Sequence, residues 1–360
     1  MDYYPMEESL QVLLGKHLPL SESQKRRISQ ACVGVMLAGS SHLSQVGKWL
    51  GHGTQQRSRE RWLRRLLDAQ FMRQEFVYAP LVKKILASYQ VSRIHLLIDR
   101  SSLVVGKLDL LSLSLLYRKH ALPLVWTVMP TGMSGYERQI ALIDRVQSLL
   151  PSTKQIIFHG DNEFGGIPLL IYVRHLGWDV MLGQNGKNCF YLENHKWQTL
   201  GNLSVQRRHN IYLSDVYLTK KHDYGKLNLV AFYHPRFQKK RRKRDIRYLA
   251  TTLPITPRLL VTGKARWGIE CQFKDFKSAG WQLNHSCLRD ENRLEALLNL
   301  LSIAYSWATC LGRWLCKIGK RYLVDAHARR GLSYFRIGWD WLVHQFRVQG
   351  LCPVLSRLYH

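Results

Sequence analysis

A chain of 360 residues that is 46% hydrophobic can bury one large core or two smaller ones. Its 53 Lys and Arg against 25 Asp and Glu leave a net charge of +28, which calls for an extended polyanionic partner, nucleic acid above all. Eleven Trp set it apart from ribosomal and membrane-surface proteins of like charge, and seven Cys without a CxxC pair argue against a disulfide framework and structural zinc, with a reducing cytoplasm as the default compartment.

The acidic start, MDYYPMEESL, has no apolar core and is not a signal peptide. Residues 1–88 carry helical patterns throughout. Ser21 and Gln24 fit a capping box ahead of a basic helix over Lys25–Val35. Leu43–Leu50 has helical spacing, and the Gly/Thr turn of His52–Arg57 leads into Ser58–Phe71. There Trp62, Leu63, Leu66 and Leu67 share one face while Arg57, Arg59, Arg61, Arg64 and Arg65 surround the rest. A short helix, a turn and an Arg-rich helix suggest a helix-turn-helix-like DNA-binding region; the plainer alternative is a helical bundle with a solvated basic face.

From residue 90 the pattern becomes α/β. Ile94–Ile98 is an apolar run ending at Asp99, and Ile156–Phe158 is a second one leading through His159 and Gly160 to Asp161. Leu110–Tyr117 and Leu122–Met129 read as a hairpin with a four-residue turn, followed by an amphipathic helix over Ser134–Leu150. A helix over Ile167–His175 and a strand at Trp178–Leu182 complete residues 90–183. Three strands, a helix, then strand, helix and strand is the order of a ribonuclease H-like sheet. Its first and fourth strands are neighbours, which predicts that Asp99 and Asp161 meet.

Residues 184–262 form a β-rich insertion, with strand-like segments at Leu203–Arg207, Ile211–Leu218, Leu227–Tyr233 and Ile246–Leu253. Lys239, Lys240, Arg241, Arg242, Lys243 and Arg244 are six consecutive cations, read either as a DNA-phosphate-binding loop or as a solvated loop. The α/β unit resumes over 263–320 with Arg266–Trp281. On a helix, Arg266, Glu270 and Lys277 fall within about 40° of one another, with Ile269, Phe273 and Phe276 on an apolar side. Leu294–Leu315 reads as a buried helix rather than a membrane span, being interrupted by Glu295, Asn299, Gly312 and Arg313. Residues 321–360 are a further aromatic and basic helical segment.

Two strand-end aspartates and a helix glutamate are the donor set for Mg²⁺, which takes hard oxygen ligands and leaves positions for water and substrate phosphate. Mn²⁺ would substitute. Such a site cleaves phosphodiesters when two ions flank the scissile bond. Arg266 and Lys277 beside Glu270 are then candidates to hold the phosphates of the cut strand. Glu163 competes with Asp161 as a ligand; Asp275 lies on another face from Glu270. Trp267 and Trp281, with Trp126 and Trp307, are candidates for stacking on bases, against the commoner use of aromatics among leucines as core.

Asp99, Asp161 and Glu270 resemble the triad of the DDE transposases. The third element resembles the Tyr–Arg–Glu–Lys signature of the insertion sequence four family, whose last three members match Arg266, Glu270 and Lys277 with three and six residues between them. The tyrosine position holds Gly263, leaving its role absent or taken over, with Trp267 the nearest aromatic. Asp161-Asn-Glu-Phe164 is similar to the family's second motif, and the β-rich insertion is also typical of it. The resemblance, covering residues 90–315, implies a transposase that binds the terminal inverted repeats of its element and cuts and joins DNA with Mg²⁺. It also implies a homodimer that pairs two ends, on target DNA, in a cytoplasmic, nucleoid-associated setting with no membrane. A nuclease or resolvase of the same sheet without strand transfer, or a DNA-binding protein that no longer cuts, are the alternatives.

Overall fold

The computed structural model describes residues 3–353 apart from 52–53, 153, 193–195, 207–208, 221–224, 236–243, 261–265, 328, 330 and 350. Strand β1 (Tyr3–Pro5) leads into six helices: α1 (Met6–Gly15), α2 (Glu22–Ala38), α3 (Leu43–Gly47), α4 (Gln56–Leu67), α5 (Gln74–Val77) and α6 (Ala79–Ser88). The capping box is present: the Ser21 hydroxyl accepts from the Gln24 amide, and the Gln24 side chain accepts from the Ser21 amide. At the other end of α2, Gly39 adopts φ 58°, a left-handed cap that lets its N–H reach the Val35 carbonyl.

Strands β2 (Arg93–Val104), β3 (Leu108–Tyr117) and β4 (His120–Pro130), helix α7 (Gly135–Gln147), β5 (Gln155–Gly160), α8 (Ile167–His175) and β6 (Asp179–Gln184) follow. The β3–β4 hairpin turns on Arg118 and Lys119 alone, two residues instead of four, because Tyr117 still pairs with His120 and Arg118 takes φ 61°. Strand β2 runs five residues beyond Asp99, so this aspartate lies within the strand and not at its end. The polar run Asp99–Ser102 is held there by four paired positions on β3, Asp109 to Ser112.

The remaining strands are β7 (Cys189–Tyr191), β8 (Gln198–Thr199), β9 (Ile211–Leu218), β10 (Leu227–Pro235) and β11 (Arg244–Thr251), with a two-residue-scale bridge of Gln206 to His209 where a strand over Leu203–Arg207 was expected. All of them join one ten-stranded sheet in the order β4-β3-β2-β5-β6-β11-β10-β9-β7-β8. The β2–β5 and β5–β6 pairs are parallel and the rest antiparallel. The insertion therefore extends the core sheet: β11 pairs with β6 through Thr251 and Met181, and Thr251 Oγ1 donates to the Val180 carbonyl at 2.6 Å.

Helices α9 (Trp267–Phe276), α10 (Glu291–Lys317) and α11 (Tyr334–Gln349) close the chain, and a final strand β12 (Leu351–Pro353) pairs with β1. Helix α10 is long and apolar enough to cross a membrane, yet 94% of its most apolar window is buried inside the protein. It is the central pillar. The N-terminal helices dock on it, with Cys32 Sγ on the Leu300 carbonyl, Asn299 Nδ2 on the Met72 carbonyl at 2.6 Å, and the Tyr78 hydroxyl on Ser306. Helix α11 crosses it so closely that a Cβ on Gly312 would stand 1.9 Å from the Tyr334 carbonyl oxygen, and one on Gly338 1.8 Å from that of Ala308. One contiguous apolar cluster reaches from Leu10 to Leu342; at roughly 1.5–3 kcal/mol for each fully buried large side chain, it is what holds helices and sheet as one body.

Candidate active site

The parallel pairing of β2 with β5 sets the geometry. Leu97 lies opposite His159, and two residues further on come Asp99 and Asp161, on the same face of their strands. Asp161 ends its strand by capping a short 3₁₀ turn, Asn162–Phe164, through a 2.9 Å bond from the Glu163 amide to its Oδ1. That turn packs against β6 with no room to spare: a Cβ on Gly183 would stand 2.5 Å from Asn162 Oδ1 and 2.8 Å from the Asp161 carbonyl carbon. Only glycine at 183 lets the Asp161 turn settle there.

Glu270 comes from the first turn of α9. Arg266, the residue just before that helix, joins it to Asp99: Nη1 donates to Asp99 Oδ2 at 2.8 Å and Nη2 to Glu270 Oε1 at 2.5 Å. Asp99 is 9% exposed, and its Oδ1 accepts from the Arg100 amide at 2.8 Å. Burial pushes its pKa up to about 6; the Arg266 guanidinium works against that rise, while the charges of Asp161 and Glu270 add to it. The three acids thus share one electrostatic site, with a single guanidinium between two of them. Among the described residues, no three His, Cys, Asp or Glu side chains are grouped tightly enough to hold one ion as they stand.

Lys277 reaches the site by a different route from the one its helical spacing predicts. Helix α9 ends at Phe276, and Lys277 leaves it with φ −100° and ψ −111°. Its Nζ donates to Ser101 Oγ at 2.6 Å and to the Ser102 carbonyl, so it is clamped to β2 just past Asp99. Burial lowers its pKa, with Asp109 pulling the other way. Trp267 stands beside Arg266 and is 62% exposed. Trp281 is a correction: it is fully buried, its ring 5.0 Å from Phe335 and 6.0 Å from Trp339, so it cannot stack on a base. Trp126 and Trp307, at 2% and 3% exposure, are core residues for the same reason. Of the six-cation run, Lys239, Lys240, Arg241, Arg242 and Lys243 lie outside the described residues and Arg244 begins β11.

Several residues at the site carry no signal in a one-dimensional reading. Arg100, on the opposite face of β2 from Asp99, grips both Glu163 oxygens with Nε at 2.9 and 3.0 Å and Asp109 Oδ2 with Nη1 at 2.5 Å. Glu163 also accepts from the Ser134 amide and hydroxyl. It is committed to that network, which ties the Asp161 turn to β2, β3 and the start of α7. Asp275 faces Tyr305 in the core, 9% exposed, with burial raising its pKa to about 7. His159 is fully buried behind the acids, its Nε2 2.9 Å from His95 Nδ1, and desolvation holds it neutral with a pKa of about 3. The alternation of polar residues along β2 (His95, Asp99, Ser101 on one face, Arg100 and Ser102 on the other) was the available clue.

Residues 93–307 match the family model of the transposase DDE domain. No curated protein matches the sequence. Among solved structures, the chain is similar to the piggyBac transposase in a cryo-EM synaptic complex with hairpin DNA, at 14% identity and a TM-score of 0.41 over 98% of this chain and 80% of that one. The matched stretch spans more than half of the sequence and contains Asp99, Asp161 and Glu270: the chain belongs to the transposase DDE domain family.

Proposed function

We propose that the protein is a transposase that binds the terminal inverted repeats of its element, cuts the DNA there and joins the freed ends to target DNA. The observation that carries this reading is the placement of Asp99 and Asp161 on one face of the paired strands β2 and β5, with Arg266 bridging Asp99 to Glu270, within the family-matched region. The strand order β4-β3-β2-β5-β6, two antiparallel pairs followed by two parallel ones, supports a ribonuclease H-like core. Residues 184–262 are then an insertion into it and 1–88 a DNA-binding region, with four exposed arginines on α4 at positions 57, 61, 64 and 65.

The donor set suits Mg²⁺ or Mn²⁺. Asp99, Asp161 and Glu270 offer only hard oxygens, and the buried Asp99 carboxylate is paired with a cation, Arg266. These three acids would hold the metal, which when bound supplies a more acidic water or 3′-hydroxyl and stabilises the leaving oxygen. Arg266, released from the acids, and Lys277, fixed on β2, would grip the phosphates of the strand being cut, and Trp267 would lie against it. Two copies pairing two DNA ends, in the cytoplasm on the nucleoid, complete the proposal.

Asp99→Ala, Asp161→Ala and Glu270→Ala should each abolish Mg²⁺-dependent nicking of labelled element ends while leaving gel-shift binding largely intact. Robust nicking by any one of them removes that residue from the site. Nicking without joining would favour a nuclease lacking strand transfer, and binding without nicking by the unaltered protein a DNA-binding derivative.

A further inference from the structure

A cleft of about 380 Å³ opens at the other end of β2, away from the acids. It is walled by Tyr89 just after α6, His95 on β2, Arg118 in the β3–β4 turn and Arg313 on α10, and no Asp or Glu lines it. His95 lies on the same face as Asp99, four residues earlier, or about 13 Å at the usual strand rise.

Of the two arginines that line the cleft, Arg118 is exposed and Arg313 is half-buried and held in place. Arg118 takes φ 61° at the two-residue turn, which fixes where its side chain leaves the backbone. Arg313 is half-buried, its guanidinium 5.2 Å from the centroid of the Tyr117 ring and hydrogen-bonded to that residue's hydroxyl. His95 is braced by its Nδ1 against the buried His159, leaving Nε2 for another partner. The Tyr89 hydroxyl donates to the Leu116 carbonyl at 3.2 Å, and Tyr89, Arg118 and Arg313 line the same cleft. Neither arginine is paired with a carboxylate among the described residues. On a convex surface, water would solvate such a pair. Lining one concave surface with no carboxylate beside them, they leave it positively charged, an excess that an anion relieves.

We propose that this cleft is a phosphate-binding site separate from the three acids, in which Arg118 and Arg313 present their planar donor forks to one phosphate group with His95 and Tyr89 beside it. Guanidinium forks match the tetrahedral oxyanion bidentately. The phosphate is carried either by the DNA backbone or by a free phosphate compound; only the first source rests on the transposase reading.

The test uses the full chain, Arg118→Asn (Asn tolerates the left-handed turn) and Arg313→Gln (which keeps a donor for Tyr117), singly and combined, with melting curves to show that each folds. Inorganic phosphate is titrated by calorimetry at constant ionic strength, and a short duplex carrying the element end is titrated over a salt series. Expected are one phosphate bound per chain and a loss of at least tenfold in the double variant, with the Arg118→Asn variant alone deciding if Arg313→Gln fails to fold. A drop of about 0.9 in the log K against log salt slope per lost phosphate contact assigns the backbone as the source. Loss of inorganic phosphate binding with an unchanged slope assigns a free phosphate compound. Phosphate binding and slope both equal to those of the unaltered protein overturn the site. Asp99→Asn, run alongside, keeps phosphate binding and loses nicking if both proposals hold. If the unaltered protein never nicks, the transposase reading fails and the phosphate titration still decides the cleft.

Discussion

Arg266 is the residue on which the chemistry of the site turns. Its two terminal nitrogens serve two different acids, Asp99 at 2.8 Å and Glu270 at 2.5 Å, an arrangement that needs a planar fork. Lysine offers a compact point charge in place of that fork, a poorer match to the phosphate that Arg266 is proposed to grip. Arg266→Lys should therefore lose at least about tenfold in single-turnover cleavage, or 1.4 kcal/mol. Arg266→Ala should lose more at pH 7 than at pH 8.5: the guanidinium opposes the rise in the Asp99 pKa, so without it more of that carboxyl is protonated at neutral pH. Near-normal cleavage in both variants would reduce Arg266 to an ion-pair partner. Asp275 gives a cleaner pH test because it lies in the core. Its folded pKa of about 7 exceeds the ordinary value of 3.8, so the unfolded chain releases the proton first. Stability should then fall as pH rises from about 4 to about 7, by something on the order of 4 kcal/mol. Asp275→Asn should flatten that dependence in denaturant melts; an unchanged profile would show that Asp275 does not stay protonated in the fold.

At the scale of elements, the site depends on how tightly the Asp161 turn fits against β6. Gly183 pairs with Leu249 of β11 on one side and, with no side chain, lets Asn162 and Asp161 approach on its face. A methyl group there meets backbone, which cannot rotate away as a side chain would. Gly183→Ala should therefore cut cleavage by more than tenfold by shifting Asp161, with the main effect on metal dependence: a higher Mg²⁺ concentration for half-maximal rate. Unaltered metal dependence would show that the turn moves as a unit without displacing the carboxylate. The Arg100–Glu163–Ser134 network anchors the same turn from the other side, which is why Glu163 is spent on structure although it lies two residues from Asp161.

For the whole molecule, the excess of 28 positive charges predicts DNA binding that weakens steeply with salt, log K falling by about 0.9 for each phosphate neutralised. Replacing Lys239–Lys243 and Arg244 by neutral residues should flatten that slope in filter-binding titrations. An unchanged slope would make the run a solvated loop. β10 and β11, which flank this run in sequence, are paired from Pro235–Arg244 to Asn228–Thr251 and continue through β6 to β5, whose end carries Asp161.

What the sequence determined by itself is what neighbouring residues settle between them. The Ser21–Gln24 capping box, the apolar runs of β2 and β5, helix α8 at Ile167–His175, strand β9 at Ile211–Leu218 and the burial of α10 follow from capping, alternation and periodicity within one segment. The Arg–Glu–Lys spacing and the charge belong to the same class. Only the tertiary structure decided the rest, because it turns on contacts between distant residues. A helical projection puts Lys277 beside Glu270; the actual helix stops one residue short, and Lys277 instead finds Ser101 and Ser102 on β2. Trp281 has the composition of a surface aromatic next to a site and is buried because Phe335 and Trp339 arrive from α11. That Arg266 bridges Glu270, four residues away, to Asp99 on a distant strand is a matter of how α9 packs on the sheet, and no local pattern encodes it.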